Sequence, residues 1–142
     1  MIRTMQLEDL DRVVSIEQEN FSRPWSYQGF ADAIAREQTM FLVCESDGQV
    51  AGYIGAYLIG TEMEITNVSV AKTQQGRGFG KALLLECLSC GKAKGIEAVT
   101  LEVRVSNKRA IALYHLVGFE DAGVRPGFYE APKEDALIMW KR

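Results

Sequence analysis

Residues 75–81 read Gln75-Gly76-Arg77-Gly78-Phe79-Gly80-Lys81 and run directly into a leucine-rich helical pattern. Three glycines at alternate positions offer no side chains to pack, so the backbone itself is the candidate binding surface. A glycine-rich loop between a strand and a helix N-terminus leaves main-chain N–H groups unpaired and adds the positive end of the helix dipole. The chemistry that fits is anion binding, with Arg77 and Lys81 adding local positive charge. Two familiar phosphate motifs are excluded by spacing. A nucleoside-triphosphate loop needs Ser or Thr after Gly-Lys and a glycine five positions earlier; Ala82 and Gln75 stand there. The dinucleotide pattern Gly-x-Gly-x-x-Gly fails because Leu83 occupies the third glycine position.

The elements that must present this loop follow from periodicity. Met1 to Met5 reads as a strand and Leu7 to Asn20 as a helix, with Leu7, Leu10, Val13, Val14 and Ile16 as its apolar stripe and Glu8, Asp9 and Asp11 in its first turns. Ser26 is placed to N-cap a second helix. Thr39 to Glu45, the turn pair Asp47-Gly48 and Gln49 to Ile59 form a hairpin, and Met63 to Val70 makes the next strand. Phe79 to Ala93 is a helix. Ala98 to Val105 alternates, with Val99, Leu101, Val103 and Val105 on one side and Thr100, Glu102 and Arg104 on the other. Asn107 to Val117 is a helix that Gly118 closes, and strands near Phe119 to Val124 and Ala136 to Trp140 complete the chain. The expected order is β-α-α-β-β-β-α-β-α-β-β, an α/β layer structure with a mixed central sheet of six to seven strands and about four helices.

Bulk properties narrow the function classes. The 142 residues fit one domain spanning 1–142. Hydrophobic residues make up 47% and charged residues 25%, an ordinary globular balance, with a net charge of −3 and scattered basic residues. That argues against a nucleic-acid or membrane-surface binder. No signal-peptide pattern or bilayer-spanning run is found, and three cysteines, Cys44, Cys87 and Cys90, suggest a reducing cytoplasm. Cys87 and Cys90 have the spacing of redox and zinc motifs but no second ligand pair, so they read as reduced helical thiols and no metal is expected.

Gln75-Gly76-Arg77-Gly78-Phe79-Gly80 resembles the Gln/Arg-x-x-Gly-x-Gly/Ala signature of the GNAT family of N-acetyltransferases. Asn107-x-x-Ala110-x-x-Leu113-Tyr114-x-x-x-Gly118-Phe119 resembles that family's second recurring block. The resemblance implies the GNAT fold and acetyl-coenzyme A as cosubstrate. Its pyrophosphate would lie on Gln75, Gly76, Arg77, Gly78, Phe79, Gly80 and Lys81. Its pantetheine arm would lie along Val68, Ser69 and Val70, and Asn107 would contact the coenzyme.

Three further stretches are similar to the ribosomal-protein-alanine branch of that family: Phe21-Ser22-Arg23-Pro24-Trp25-Ser26, Leu101-Glu102-Val103-Arg104-Val105-Ser106-Asn107, and Glu134-Asp135-Ala136-Leu137-Ile138-Met139. The branch acetylates the N-terminal alanine of a small-subunit ribosomal protein. It implies Glu102 as general base and Tyr114 as general acid, with Trp25 and Tyr129 at the acceptor. The Val124-Arg125-Pro126-Gly127-Phe128-Tyr129 stretch keeps an arginine and a tyrosine but departs from the branch at Pro126 and Gly127.

Read without the resemblance, Glu102 is as compatible with pairing to Arg104, Tyr114 with the core, Asn107 with an N-cap and Trp25 with a packing staple. The lone His115 reads as a surface or packing residue. An α-amine with a pKa near 7.7–8.0 is roughly a quarter neutral at about pH 7.4, against about 0.1% for a lysine. One carboxylate relaying a proton therefore suits an N-terminal amine better than a lysine. The expected enzyme is a cytoplasmic monomer or weak dimer that uses direct attack on the thioester. Two rivals stand beside it: a small-amine acetyltransferase using Glu62 and Glu64, and a non-catalytic acyl-coenzyme A-binding module.

Overall fold

A computed structural model describes residues 1–142, and the expected element order is the observed one. The strands are β1 (Ile2–Thr4), β2 (Thr39–Ser46), β3 (Gln49–Ile59), β4 (Glu62–Val70), β5 (Ala98–Arg104), β6 (Glu120–Glu130) and β7 (Lys133–Lys141). The helices are α1 (Leu10–Asn20), α2 (Tyr27–Ile34), α3 (Phe79–Ala93) and α4 (Lys108–Val117). One seven-stranded sheet runs in the order β1-β2-β3-β4-β5-β7-β6. Only β4 and β5 pair in parallel, and every other neighbouring pair is antiparallel.

Alternation along the strands builds a separate core on each face of the sheet. On one face Leu83, Leu84 and Cys87 of α3 and Tyr114 of α4 pack with Ile54, Met63, Leu101 and Met139. On the other, Leu10, Val13 and Ile16 of α1 and Phe30 and Ala33 of α2 pack with Phe41, Val43 and Tyr53. No helix in the chain is long and apolar enough to cross a membrane.

The local signals act as their chemistry requires. Ser26 Oγ accepts from the Gly29 N–H at 3.0 Å, and Asn107 Oδ1 accepts from the Ala110 N–H at 3.2 Å, so each caps its helix. Asp47 and Gly48 both have positive φ, 54° and 78°, the tight hairpin turn that Asp-Gly favours.

Three boundaries differ from expectation by more than one residue. Leu7–Asp9 forms a separate 3-10 turn because Asp9 is pinned. Its carboxylate takes two 2.8 Å bonds from Arg3 and a third from the Gln6 N–H, and the Arg3 guanidinium holds it below the usual carboxylate range. β6 and β7 each run several residues further than their apolar patterns suggest. Gly123, Pro126 and Gly127 interrupt the β6 pattern, and irregularities at Asp121/Gly123 and Arg125/Tyr129 let the pairing continue past them.

Gly55 on β3 marks a close approach of another kind. A Cβ there would lie 2.2 Å from the Phe41 ring, which Trp25, Phe30 and Tyr57 surround. The ring has nowhere to swing. Gly55→Ala is therefore expected to lower unfolding stability by about 2 kcal/mol through overpacking, as read from urea denaturation.

Candidate active site

The site begins with a break in the sheet. The parallel ladder runs from Glu62↔Ala98 to Ile65↔Leu101 and stops, although β4 continues to Val70 and β5 to Arg104. The cause lies one residue on. Gly55 pairs with Asn67 and Ala56 with Ile65, so Thr66 is an extra residue, a β-bulge. A bulge bends its strand and interrupts the ladder. From Thr66 to Val70 the β5 side of β4 has no partner strand, and a wedge opens between the two strands.

The same bulge shifts the phase of the side chains. Before it Met63 and Ile65 point to the α3–α4 face; after it Val68 packs against that core instead. Glu64 pairs across from Tyr57 and Ser69 from Tyr53, both on the α1–α2 face. Glu62, Glu64, Asn67 and Ser69 therefore share that face.

On the α3–α4 side the wedge leads to the glycine loop. None of the main-chain N–H groups from Gln75 to Lys81 donates to a protein acceptor. Gly76 and Gly78 have φ of 81° and 85°, which side-chain-bearing residues adopt only with strain. Gly78 is the N-cap of α3 and has no side chain to satisfy the first amides, and no acidic residue stands in the first turn. A Cβ on Gly78 would meet nothing within 4 Å, so it is the positive φ and not crowding that calls for glycine there. Gly80 differs from its two neighbours: it lies inside α3, and a Cβ there would make only an ordinary 3.8 Å contact with Val70.

The loop's side chains are deployed as follows. Arg77 bonds Gln74 at 2.7 Å and lies over the Phe79 ring. Lys81 is exposed. The Gln75 side chain donates to the Val70 carbonyl at 3.1 Å, joined there by Asn20 at 2.9 Å. Gln75 thus offers its main-chain N–H to the loop and spends its amide group on the strand. Arg109, from the first turn of α4, brings Nη2 within 3.8 Å of where a Gly76 Cβ would be. The sequence reading passed over it, although it sits two residues beyond Asn107 in the second recurring block.

On the opposite face a cleft of about 350 Å³ lies over the paired end of β4 and β5 and reaches Glu102, one residue past the last ladder pair; Glu62, Glu64, Arg125, Ile138 and Trp140 are among its lining. Glu102 is the central carboxylate, its side chain 19% exposed. Its Oε2 is buried and has no hydrogen-bond partner; Arg125 Nε lies 3.3 Å away but off the bonding direction. Burial pushes the Glu102 carboxyl above the usual range, Arg125 opposes the shift, and Glu64 adds to it. The alternative reading, in which Glu102 pairs with Arg104, does not hold: its ion partner is Arg125. Arg104 instead bonds Glu134 at 3.2 Å and stacks on Tyr129 at 4.3 Å.

Tyr114 is buried on the other face and packs on Phe119 at 5.8 Å between ring centres. Burial pushes its hydroxyl up to about 12, so it keeps its proton near neutral pH. Glu102 and Tyr114 thus approach the wedge from opposite faces. Tyr129 lies between them electrostatically: it raises Tyr114, and Glu102 in turn raises it.

Trp25 stands apart from Glu102. It packs on Phe30 at 5.1 Å and walls a second groove of about 270 Å³ with Tyr57, Asp32 and Arg36. The two clefts meet at the cross-strand pair Tyr57↔Glu64. Above them the loop before α2 and the β6–β7 hairpin touch through Arg23 and Glu130 at 3.2 Å, both side chains 69% exposed. His115 pairs with Asp121 at 2.7 Å on the surface, away from the wedge.

The chain that carries this opened sheet and amide-rich glycine loop matches, over residues 9–119, the family described as Acetyltransferase (GNAT) family. The chain belongs to the GNAT family. This GNAT chain is 36% identical over 140 residues to a protein of Bacillus subtilis, covering 98% of this chain and 93% of that one; the Bacillus protein carries the name [ribosomal protein bS18]-alanine N-acetyltransferase provisionally. It is 32% identical over 140 residues to the [ribosomal protein bS18]-alanine N-acetyltransferase of Escherichia coli K12, covering 97% and 94%. The crystal structure of the ribosomal-protein-S18-alanine N-acetyltransferase from Escherichia coli matches with a TM-score of 0.92 and 31% identity over 99% of this chain and 92% of that one. Ard1 from Thermoplasma volcanium matches with a TM-score of 0.91 and 27% identity, covering 99% and 95%. As a GNAT member the chain is an N-acetyltransferase, and the reading of it as a non-catalytic module is set aside.

The Glu102 environment carries a measurable signature in this acetyltransferase. By carbon-13 NMR its carboxyl should titrate above the ordinary glutamate range, and Arg125→Gln should move it higher still. The sign for stability follows. A folded-state pKa above the unfolded value means that the native state binds more protons. The stability Glu102 contributes is therefore full below about pH 4.3 and is lost as pH rises through the folded pKa.

Proposed function

We propose that the chain transfers an acetyl group from acetyl-coenzyme A to the α-amine of a protein N-terminus, the acceptor being the N-terminal alanine of a small-subunit ribosomal protein. The observation that carries this reading is Glu102: a carboxylate whose pKa burial raises, its buried Oε2 ion-paired with Arg125 but without a hydrogen bond, beside the point where the β4–β5 ladder ends. The names of the 31–36% identical relatives support the same acceptor.

The residues divide the work. The free amides from Gln75 to Lys81 bind the diphosphate, with Gly76 and Gly78 supplying the backbone shape and Arg77, Lys81 and Arg109 the surrounding charge. The unpartnered edge of Val68, Ser69 and Val70 receives the pantetheine arm, as a strand would be received. Asn107 first of all caps α4, and the coenzyme contact is proposed beside that role. Acetyl-coenzyme A supplies the thioester on which the amine acts. Glu102 takes the proton from the ammonium group, directly or through water, and Tyr114 holds the proton that the departing thiolate needs. Trp25 and Tyr129 flank the acceptor. The attack is direct: Cys87 is fully buried in the α3 core and its thiol is pushed up to about 12, so it is no acetyl carrier.

A second reading keeps the donor side and changes the acceptor. Glu62 and Glu64 line the same cleft as Glu102, which suits a small cationic amine. The two are separated by mass spectrometry with acetyl-coenzyme A and a panel of acceptors. A peptide beginning with alanine should gain one acetyl group at its α-amine, while polyamines should remain unmodified; the reverse pattern would replace the first reading with the second.

Two variants test the roles. Glu102→Gln should lower kcat/KM about 100-fold or more and remove the rise of rate with pH that belongs to this carboxylate, leaving only the amine's own titration. Tyr114→Phe should lower kcat with little change in acetyl-coenzyme A affinity. On the donor side, Gly78→Ala should weaken acetyl-coenzyme A binding by calorimetry far more than Gly80→Ala does, because only Gly78 needs a positive φ.

A further inference from the structure

The last turn of α1 reaches both sides of the site through side chains that the readings above leave unused. Glu17 is 2% exposed and uses both carboxylate oxygens. Oε2 accepts from the Trp25 N–H at 2.9 Å, and Oε1 accepts from the Tyr53 hydroxyl, itself fully buried. Three residues on, Asn20 donates from Nδ2 to Ser69 Oγ at 2.6 Å and to the Val70 carbonyl at 2.9 Å. Its Oδ1 lies 3.5 Å from the Gln75 amide nitrogen, and Glu19 beside it accepts from the Lys72 N–H at 3.0 Å.

We propose that Glu17 and Asn20 are positioning residues, Asn20 for the donor strand and glycine loop and Glu17 for the acceptor loop, so that one helical turn sets the two substrates against each other. The proposal rests on the reading of the donor and acceptor sides given above. Its physical ground is the placement of a charge. Removing a carboxylate from water is expensive, and an apolar pair of equal volume would pack this core as well or better. A buried carboxylate here does something a leucine cannot: it holds the main-chain N–H of Trp25 in one direction by a charge-assisted bond. Trp25 lies between Pro24 and the helix cap Ser26, so fixing its N–H fixes the whole entry to α2 and the ring that walls the second groove.

Asn20 acts likewise on the other side. The Val70 carbonyl stands where β4 has lost its partner strand, and Asn20 and Gln75 supply the donors that β5 would have supplied. Residues at i and i+3 lie on one helix face, so Glu17 and Asn20 move together or not at all. Reaction between an amine and a thioester is sensitive to misplacement on the scale of an ångström, and a shared rigid turn holds that spacing.

The test uses the full chain, with acetyl-coenzyme A affinity measured by calorimetry and acceptor KM and kcat measured at saturating acetyl-coenzyme A on an alanine-starting peptide. Asn20→Ala should weaken acetyl-coenzyme A binding about tenfold, with acceptor KM changed less than about twofold. Glu17→Met should do the opposite: an acceptor KM about tenfold higher, with acetyl-coenzyme A affinity within about twofold. Glu17→Gln keeps an oxygen for the Trp25 N–H and should return acceptor KM to within about threefold of the parent. If Glu17→Met does not fold, Tyr53→Phe takes its place, with a rise in acceptor KM of about threefold and a smaller loss of acetyl-coenzyme A affinity, under about twofold, because the Tyr53 hydroxyl also bonds Ser69. Variants that move both constants together, or move neither, overturn the proposal. Glu102→Gln is measured alongside: full activity in that variant defeats the assignment of the base, whereas an inactive Glu102→Gln with no KM split defeats the positioning roles alone.

Discussion

A sheet normally satisfies every main-chain group in its interior. Here the pairing of β4 with β5 ends after Ile65 and Leu101, in the middle of the sheet. That unmet demand for partners is the constraint around which the rest is arranged. Backbone groups left open beside the core must find other partners. Asn20 and Gln75 answer part of the demand from the side, and the remainder is an open strand edge inside the molecule. The extra residue at Thr66 sets the opening and also decides which side chains border it. Without the phase change, Asn67 and Ser69 would be driven against the apolar α3 core.

The two faces of the opening have opposite chemistry because the elements covering them differ. α3 and α4 present an N-terminus, free amides and cationic side chains. The other face, beyond the reach of α1 and α2, presents carboxylates around Glu102. An anionic donor and a protonated amine would therefore approach from different directions and meet where the sheet is open. The surrounding cores make this geometry stiff. Fully buried Leu83, Leu84 and Cys87 hold α3 to the sheet, and Leu10, Val13 and Ile16 hold α1.

Much of this was legible in the residues. Strict alternation marked β5 and put Glu102 on the face opposite Leu101 and Val103, which is where it stands. The caps at Ser26 and Asn107, the turn at Asp47-Gly48 and both limits of β3 and α3 follow local chemistry and were found. The glycine loop was legible as a unit but not residue by residue, since only dihedral angles distinguish Gly80 from Gly76 and Gly78. The bulge at Thr66 left almost no trace, because burial still alternates through Met63, Ile65, Asn67 and Ser69 while the face changes. Glu17, Asn20 and Arg125 were missed or unplaced for one reason. Their partners lie across the fold, at Tyr53, Ser69 and Glu102, and no local pattern announces a contact of that range.

The clasp between Arg23 and Glu130 has a consequence of its own. Both side chains are largely in water, so their attraction fades within a Debye length of about 8 Å at physiological ionic strength and weakens further as salt is added. The floor beneath it, made of ladders and buried side chains, is indifferent to salt. The contact between the segment before α2 and the β6–β7 hairpin thus loosens with the ionic composition of its surroundings, while the sheet between them keeps its shape.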